Sequence, residues 1–241
     1  MDLGISGKAA LVVAGSRGLG RATAAALAGE GVRVMLSSRD EARLAEAQAT
    51  LRASGAEVET QVADITDPQS PARLVEATVQ AFGSIDIMIA NAGGPPAGRA
   101  LDLDDALLTS ALNANLMSAV RLTREAVPVM RGHGWGRICC ISSYSVVQPI
   151  PTLALSNTAR AGLWAWVKTA AQDLASEATG ITLNLICPGH HATDRMRELG
   201  GSGVMGNPED FGSVAAFLCS QQARFVNGAA LVVDGGATLA L

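Results

Sequence analysis

Between the apolar run Ala9-Ala10-Leu11-Val12 and the alanine-rich Arg21-Ala22-Thr23-Ala24-Ala25-Ala26-Leu27 stands Val13-Ala14-Gly15-Ser16-Arg17-Gly18-Leu19-Gly20. The order reads as strand, glycine turn and helix. Glycine lets a backbone approach a pyrophosphate closely, and the unpaired N–H groups and positive dipole end of a following helix stabilise phosphate charge. Gly15, Gly18 and Gly20 are spaced Gly-x-x-Gly-x-Gly rather than the usual Gly-x-Gly-x-x-Gly, so the turn alone is a weak signal. Its place at the end of a first strand makes it a nucleotide-binding start, with Gly15, Ser16, Arg17, Gly18, Leu19 and Gly20 expected at the cofactor.

Apolar runs that suit strands alternate with helical stretches along the whole chain. Strands are expected over 9–13, 32–37, 57–62, 85–90, 137–141, 182–186 and 230–233, and helices over 18–30, 41–53, 71–82, 103–130, 153–178 and 210–220. The 103–130 helix is expected to bend at Pro128. Near-continuous apolar strands such as Ile85-Asp86-Ile87-Met88-Ile89-Ala90 require cover on both faces, which right-handed crossovers supply. The expected fold is α/β, a doubly wound and mostly parallel sheet. With 241 residues, 49% of them hydrophobic, and no linker-like stretch, it is expected as a single domain.

A net charge of −4 gives no general attraction to nucleic acid or anionic membrane, so phosphate recognition has to be local. Cys139, Cys140, Cys187 and Cys219 lie in apolar runs without metal-ligand spacing, which suits reduced core thiols. With no leader-like or membrane-spanning run, the chain is expected in the cytoplasm.

The second strand runs into Ser37-Ser38-Arg39, where an acidic residue would bind the adenosine ribose diol. Arg39 instead favours a 2′-phosphate, and Arg17 adds a second cation, so NADP(H) is favoured over NAD(H). Asp64, after the third strand, suits either the adenine amino group or a helix cap.

With Asn91-Ala92-Gly93 after the fourth strand, Pro188-Gly189 after the sixth, and Asp234-Gly235-Gly236 near the C-terminus, the chain resembles the short-chain dehydrogenase/reductase family from end to end. The resemblance places Asn91, Ala92, Gly93, Pro188, Gly189 and Thr193 at the cofactor. Departures accompany it. Val13-Ala14 replaces the family's Thr-Gly, and an alanine would be strained if that position needs a positive φ.

The family's catalytic set is Asn, Ser, Tyr and Lys. The resemblance implies Asn115 for the water-holding Asn and Ser143 for the carbonyl-polarising Ser, but Ser156 stands for the acid Tyr and Arg160 for the Lys. A serine hydroxyl is a far weaker acid than phenol, and Arg160 can hold ribose hydroxyls or an oxyanion but not exchange protons. The Asn-x-Gly-Gly-Pro-Pro turn and Ser-Asn-x-x-Arg-Ala-Gly helix resemble a subgroup similar to β-ketoacyl reductases. Lys168 lies too far along the helix to replace the missing lysine.

Tyr144, His190 and His191 are the alternative proton donors, Tyr144 also readable as loop packing and the histidines as solvent-exposed or backbone-bonded. A shortened lid is expected around Gly200-Gly201-Ser202-Gly203. Trp164 and Trp166 are not expected to share one core, which puts one at a subunit interface of a homo-oligomer, dimer or tetramer. Two functions stay open: an NADP(H)-dependent oxidoreductase acting on a carbonyl, alcohol or acyl thioester, and a redox-silent binding protein or noncatalytic subunit of a heteromer.

Overall fold

The computed structural model describes residues 1–200 and 204–240. Seven strands form one sheet: β1 (Ala9–Val13), β2 (Arg33–Ser38), β3 (Val58–Val62), β4 (Ile87–Ala90), β5 (Gly136–Ile141), β6 (Ile181–Pro188) and β7 (Ala230–Val233). Their order is β3-β2-β1-β4-β5-β6-β7, and every pairing is parallel. The order reverses between β1 and β4, which opens a crevice at the strands' C-terminal ends.

Period-two alternation divides the strand side chains between two cores. Ala9, Leu11 and Val13 face one with α3 (Ser70–Phe82), α5 (Ser118–His133) and α6 (Ala154–Ser176). Ala10 and Val12 face the other with α1 (Gly18–Gly29), α2 (Glu41–Ala53) and α8 (Pro208–Leu218). Each fully buried Leu or Ile, such as Leu11, Leu27, Leu36, Leu74 or Leu122, contributes about 1.5–3 kcal/mol of transfer free energy. A polar replacement at Leu11 would remove that term at the centre of the sheet.

Two expectations are corrected. The single helix expected over 103–130 is divided by a π turn, Asn113–Met117, between α4 (Asp105–Leu112) and α5, and Pro128 lies within α5. The wider turn holds one extra residue, which aims Asn115 inward. Trp164 and Trp166 are both half-buried and pack against the same central cluster. Although two residues apart, their indoles are long enough to reach that core from opposite flanks of α6, so neither marks an interface by itself. Gly201-Ser202-Gly203, in the expected lid, lies outside the described residues. Among the described residues no helix is long and apolar enough to cross a membrane.

Candidate active-site cleft

Loops leaving β1, β4, β5 and β6 line a cleft of about 1050 Å³. At the β1 end Ala14 adopts φ 51°, the left-handed region that the family's glycine would occupy without strain. The Gly15 amide donates to the Ser37 carbonyl at 3.0 Å, tying the turn to β2. A Cβ on Gly20 would lie 2.3 Å from the Ala14 carbonyl oxygen, so only glycine lets α1 start this close to the strand. Arg17 is the N-cap of α1 and, among the described residues, no side chain caps the helix, which leaves its first N–H groups at the cleft. That geometry fits the pyrophosphate of a dinucleotide.

Ser16, Leu19, Ser38, Ala92, Gly93, Pro188 and Gly189 line the same cleft, while Asn91 Nδ2 donates to the Ala14 carbonyl at 3.4 Å. The two expected cations are both present on its rim, and both are paired. Arg39 lies 3.7 Å from Asp64 and Arg17 lies 3.9 Å from Asp194. Asp64 accepts from the Thr66 amide at 2.9 Å and its hydroxyl at 2.7 Å; chiefly the amide bond, aided by Arg39, holds its carboxyl below the usual range. It caps a local turn rather than a helix.

At the β5 end, Asn115 is 3% exposed; its Nδ2 donates to the Ala111 carbonyl at 3.4 Å, and its Oδ1 has no partner among the described residues. Ser143 Oγ accepts from the Ser145 amide at 3.1 Å. Tyr144 and His190 meet across the β5 and β6 loops, with the phenol oxygen 3.4 Å from Nε2 and the rings edge to face. Burial, reinforced by Asp234, pushes the Tyr144 phenol above its ordinary pKa. His191 is turned inward: it is buried, its Nδ1 lies 3.2 Å from the Gly189 carbonyl, and its ring packs edge-on against Phe211.

Ser156 and Arg160 share one face of α6. Arg160 Nε donates to Ser156 Oγ at 3.2 Å, and Nη1 donates to the Ile141 carbonyl at 3.1 Å. Arg160 is 7% exposed, and burial pulls its pKa down to about 10, which leaves it charged at neutral pH. Lys168 Nζ instead donates to the Gly228 carbonyl at 3.3 Å and takes no part in the cleft.

Thr193 accepts from the Met196 amide at 3.3 Å and so caps α7 (Asp194–Glu198), a short helix over the cleft that the sequence reading did not place. From α7, Arg195 Nη2 donates to the Pro95 carbonyl at 2.6 Å, bridging the loops after β6 and β4. Arg195 was not singled out in the sequence. The Thr193-Asp194 capping pattern was legible, but the partner is a backbone carbonyl with no sequence signature.

A family model described as enoyl-(acyl carrier protein) reductase matches residues 13–238. The chain is 31% identical to dehydrogenase/reductase SDR family member 4 of Sus scrofa, covering 96% of this chain and 88% of the relative. It is 32% identical to an uncharacterised oxidoreductase of Mycobacterium tuberculosis strain CDC 1551 / Oshkosh, covering 96% and 92%. L-sorbose reductase from Gluconobacter frateurii, solved with NADPH and L-sorbose, superposes with a TM-score of 0.93 at 31% identity over 100% of both chains. A 7α-hydroxysteroid dehydrogenase solved with NADH and 7-oxo glycochenodeoxycholic acid gives 0.92 at 26% identity, over 98% and 96%. Fold, strand order and sequence agree, and the chain belongs to the short-chain dehydrogenase/reductase family of oxidoreductases.

Proposed function

We propose that this chain is a nicotinamide-dependent oxidoreductase for a carbonyl/alcohol pair, with Tyr144 and His190 in the proton role that Ser156 cannot fill. The contact between Tyr144 Oη and His190 Nε2 in the glycine-turn cleft carries this reading. Bound nicotinamide would supply the hydride to the carbonyl carbon. Tyr144 donates its proton to the carbonyl oxygen as negative charge develops there, and His190 returns a proton to the phenolate. Ser143 donates a hydrogen bond to the same oxygen, and Asn115 Oδ1 holds a water that links the site to solvent.

Gly15, Ser16, Arg17, Gly18, Leu19 and Gly20 would hold the pyrophosphate, with Asn91, Ala92 and Gly93 and with Pro188, Gly189 and Thr193 as the further cofactor contacts. NADP(H) is favoured because Arg39 follows Ser38 where an acid would bind the ribose diol, and its guanidinium, exposed and only loosely paired with Asp64 at 3.7 Å, suits a 2′-phosphate. The NADPH complex of L-sorbose reductase supports this, while the NADH complex of the hydroxysteroid dehydrogenase represents the other option. A 3-oxoacyl thioester is one candidate substrate. Exposed Phe225, Phe217 and Leu231 support a homo-oligomer.

Fluorescence titration with NADPH and NADH, followed by turnover of a ketone panel in wild type, Tyr144→Phe and His190→Gln, tests this reading. Tight NADPH binding and turnover abolished by Tyr144→Phe are expected; turnover indifferent to both variants would overturn it. The second reading, a noncatalytic subunit, is favoured by the Ser156 and Arg160 replacements, and a pure homo-oligomer with turnover would exclude it.

A further inference from the structure

Arg160 is a buried cation whose fixed bonds leave part of its charge unanswered. A guanidinium carries five N–H donors; Nε is taken by Ser156 Oγ and one Nη1 hydrogen by the Ile141 carbonyl. Both acceptors are neutral. Among the described residues no carboxylate pairs with Arg160, although four acids line the cleft. Asp40 pairs with Arg43, Asp64 with Arg39, Asp194 with Arg17 and Arg197, and Glu198 with Arg195. Arg195 adds repulsion rather than relief. A charge that is 93% withdrawn from water without a counter-ion is costly, and a site that retains one is suited to an anion.

The dinucleotide's own phosphates do not answer it. The phosphate cradle lies at the end of β1, and Arg160 is bonded to the end of β5, with β4 between them. Two strand spacings put these points about 10 Å apart. The resemblance implies ribose hydroxyls near Arg160, and these, being neutral, would leave its charge without a counter-ion.

We infer that the free edge of Arg160 receives the carboxylate of the substrate, so that the cleft takes an oxo acid rather than a neutral ketone or thioester. The inference rests on the reading of the cleft as a carbonyl-reducing site. It narrows that reading, since the planar fork of Arg matches a carboxylate in a way that the ammonium of Lys does not. Ser143, Tyr144 and His190 then face the carbonyl while Arg160 and Ser156 hold the acid end.

The test compares pyruvate, acetoacetate and levulinate with their methyl esters, and with an acetoacetyl thioester of N-acetylcysteamine. Binding is read by calorimetric titration with and without NADPH, and turnover by kcat/KM. Wild type is expected to prefer at least one acid over its ester by about 10- to 100-fold, the range of a hydrogen bond to a charged group. Arg160→Met, with folding checked by circular dichroism, is expected to lose that preference, and Arg160→Lys to keep part of it. Equal binding of acid and ester by wild type, or a preference surviving in Arg160→Met, would overturn the inference. Should Arg160→Met fail to fold, the wild-type comparison and Arg160→Lys still decide. Acid binding without any NADPH binding would strike the redox reading and spare this one; turnover of neutral ketones unaffected by Arg160→Met would do the reverse.

Discussion

Asn91 reaches back from the loop after β4 to the carbonyl of Ala14, its Nδ2 3.4 Å from that oxygen, and so braces an alanine held at φ 51°. A left-handed L-residue costs about 1–2 kcal/mol. Ala14→Gly removes that strain and returns part of the gain as unfolded-state entropy, for a net stabilisation of about 1 kcal/mol. In a chain of this length that is a Tm rise of about 2–4 °C, read by thermal melting. A lower Tm in the glycine variant would show that the turn is not strained.

Tyr144 makes a second prediction, about pH. Burial and Asp234 hold the phenol above its ordinary value, so it stays protonated through neutral and mildly alkaline pH. Carbonyl reduction, which needs the proton, is expected to be flat from about pH 7 to 9 and to fall only beyond the usual phenol pKa of about 10. Alcohol oxidation needs the phenolate and is expected to rise steadily over the same range. Measured pH profiles in both directions check this; a reduction rate that falls through pH 7 would assign the acid to another group.

The buried thiols set a third expectation. Burial pushes Cys140, Cys187 and Cys219 up to about 12. The native state therefore keeps protons that the unfolded chain releases above about pH 8.5, and stability falls as pH rises from there. Arg160, lowered to about 10, works in the opposite direction but only above that pH. Urea unfolding at pH 7.5 and 9.5 is expected to show a lower midpoint at 9.5, with a smaller drop in Cys219→Ala. An unchanged midpoint would mean that the thiols do not govern this window.

The sequence carried the fold further than the chemistry, for a physical reason. Apolar runs such as Leu11-Val12-Val13 and Ile87-Met88-Ile89 repeat with helical stretches between them, and that alternation determines a parallel sheet. Ala14 was legible as a departure, and its positive φ is the strain that departure implied. The π turn at Asn113–Met117 was not legible, because it depends on tertiary bonds such as Asn113 Nδ2 to the Thr66 carbonyl at 2.9 Å. Tyr144 and His190 were separate candidates 46 residues apart, and only the packing of the β5 and β6 loops makes them a pair. The two tryptophans misled because spacing gives a side chain's direction but not its reach. His191 stayed open in the sequence between proton donor and backbone-bonded residue, because only packing shows its ring set against Phe211 and its Nδ1 on the Gly189 carbonyl.

The last prediction concerns restoring the family's usual acid. Ser156 and Arg160 already touch on one face of α6, with 3.2 Å between Oγ and Nε, so a Tyr and a Lys at these positions would lie side by side. Arg160→Lys alone adds no acid, and Ser156→Tyr alone sets the phenol against a guanidinium committed to the Ile141 carbonyl. The pair together is expected to raise NADPH-dependent reduction of activated neutral ketones by about 10²–10⁴, the worth of a positioned general acid. It is also expected to make Tyr144 dispensable: Tyr144→Phe should abolish reduction in wild type and cost little in the Ser156→Tyr, Arg160→Lys background. Steady-state kinetics on these variants, with folding checked by circular dichroism, measure that coupling directly. An equal loss from Tyr144→Phe in both backgrounds would show that the proton still enters through Tyr144 and that the α6 face is not positioned to deliver it.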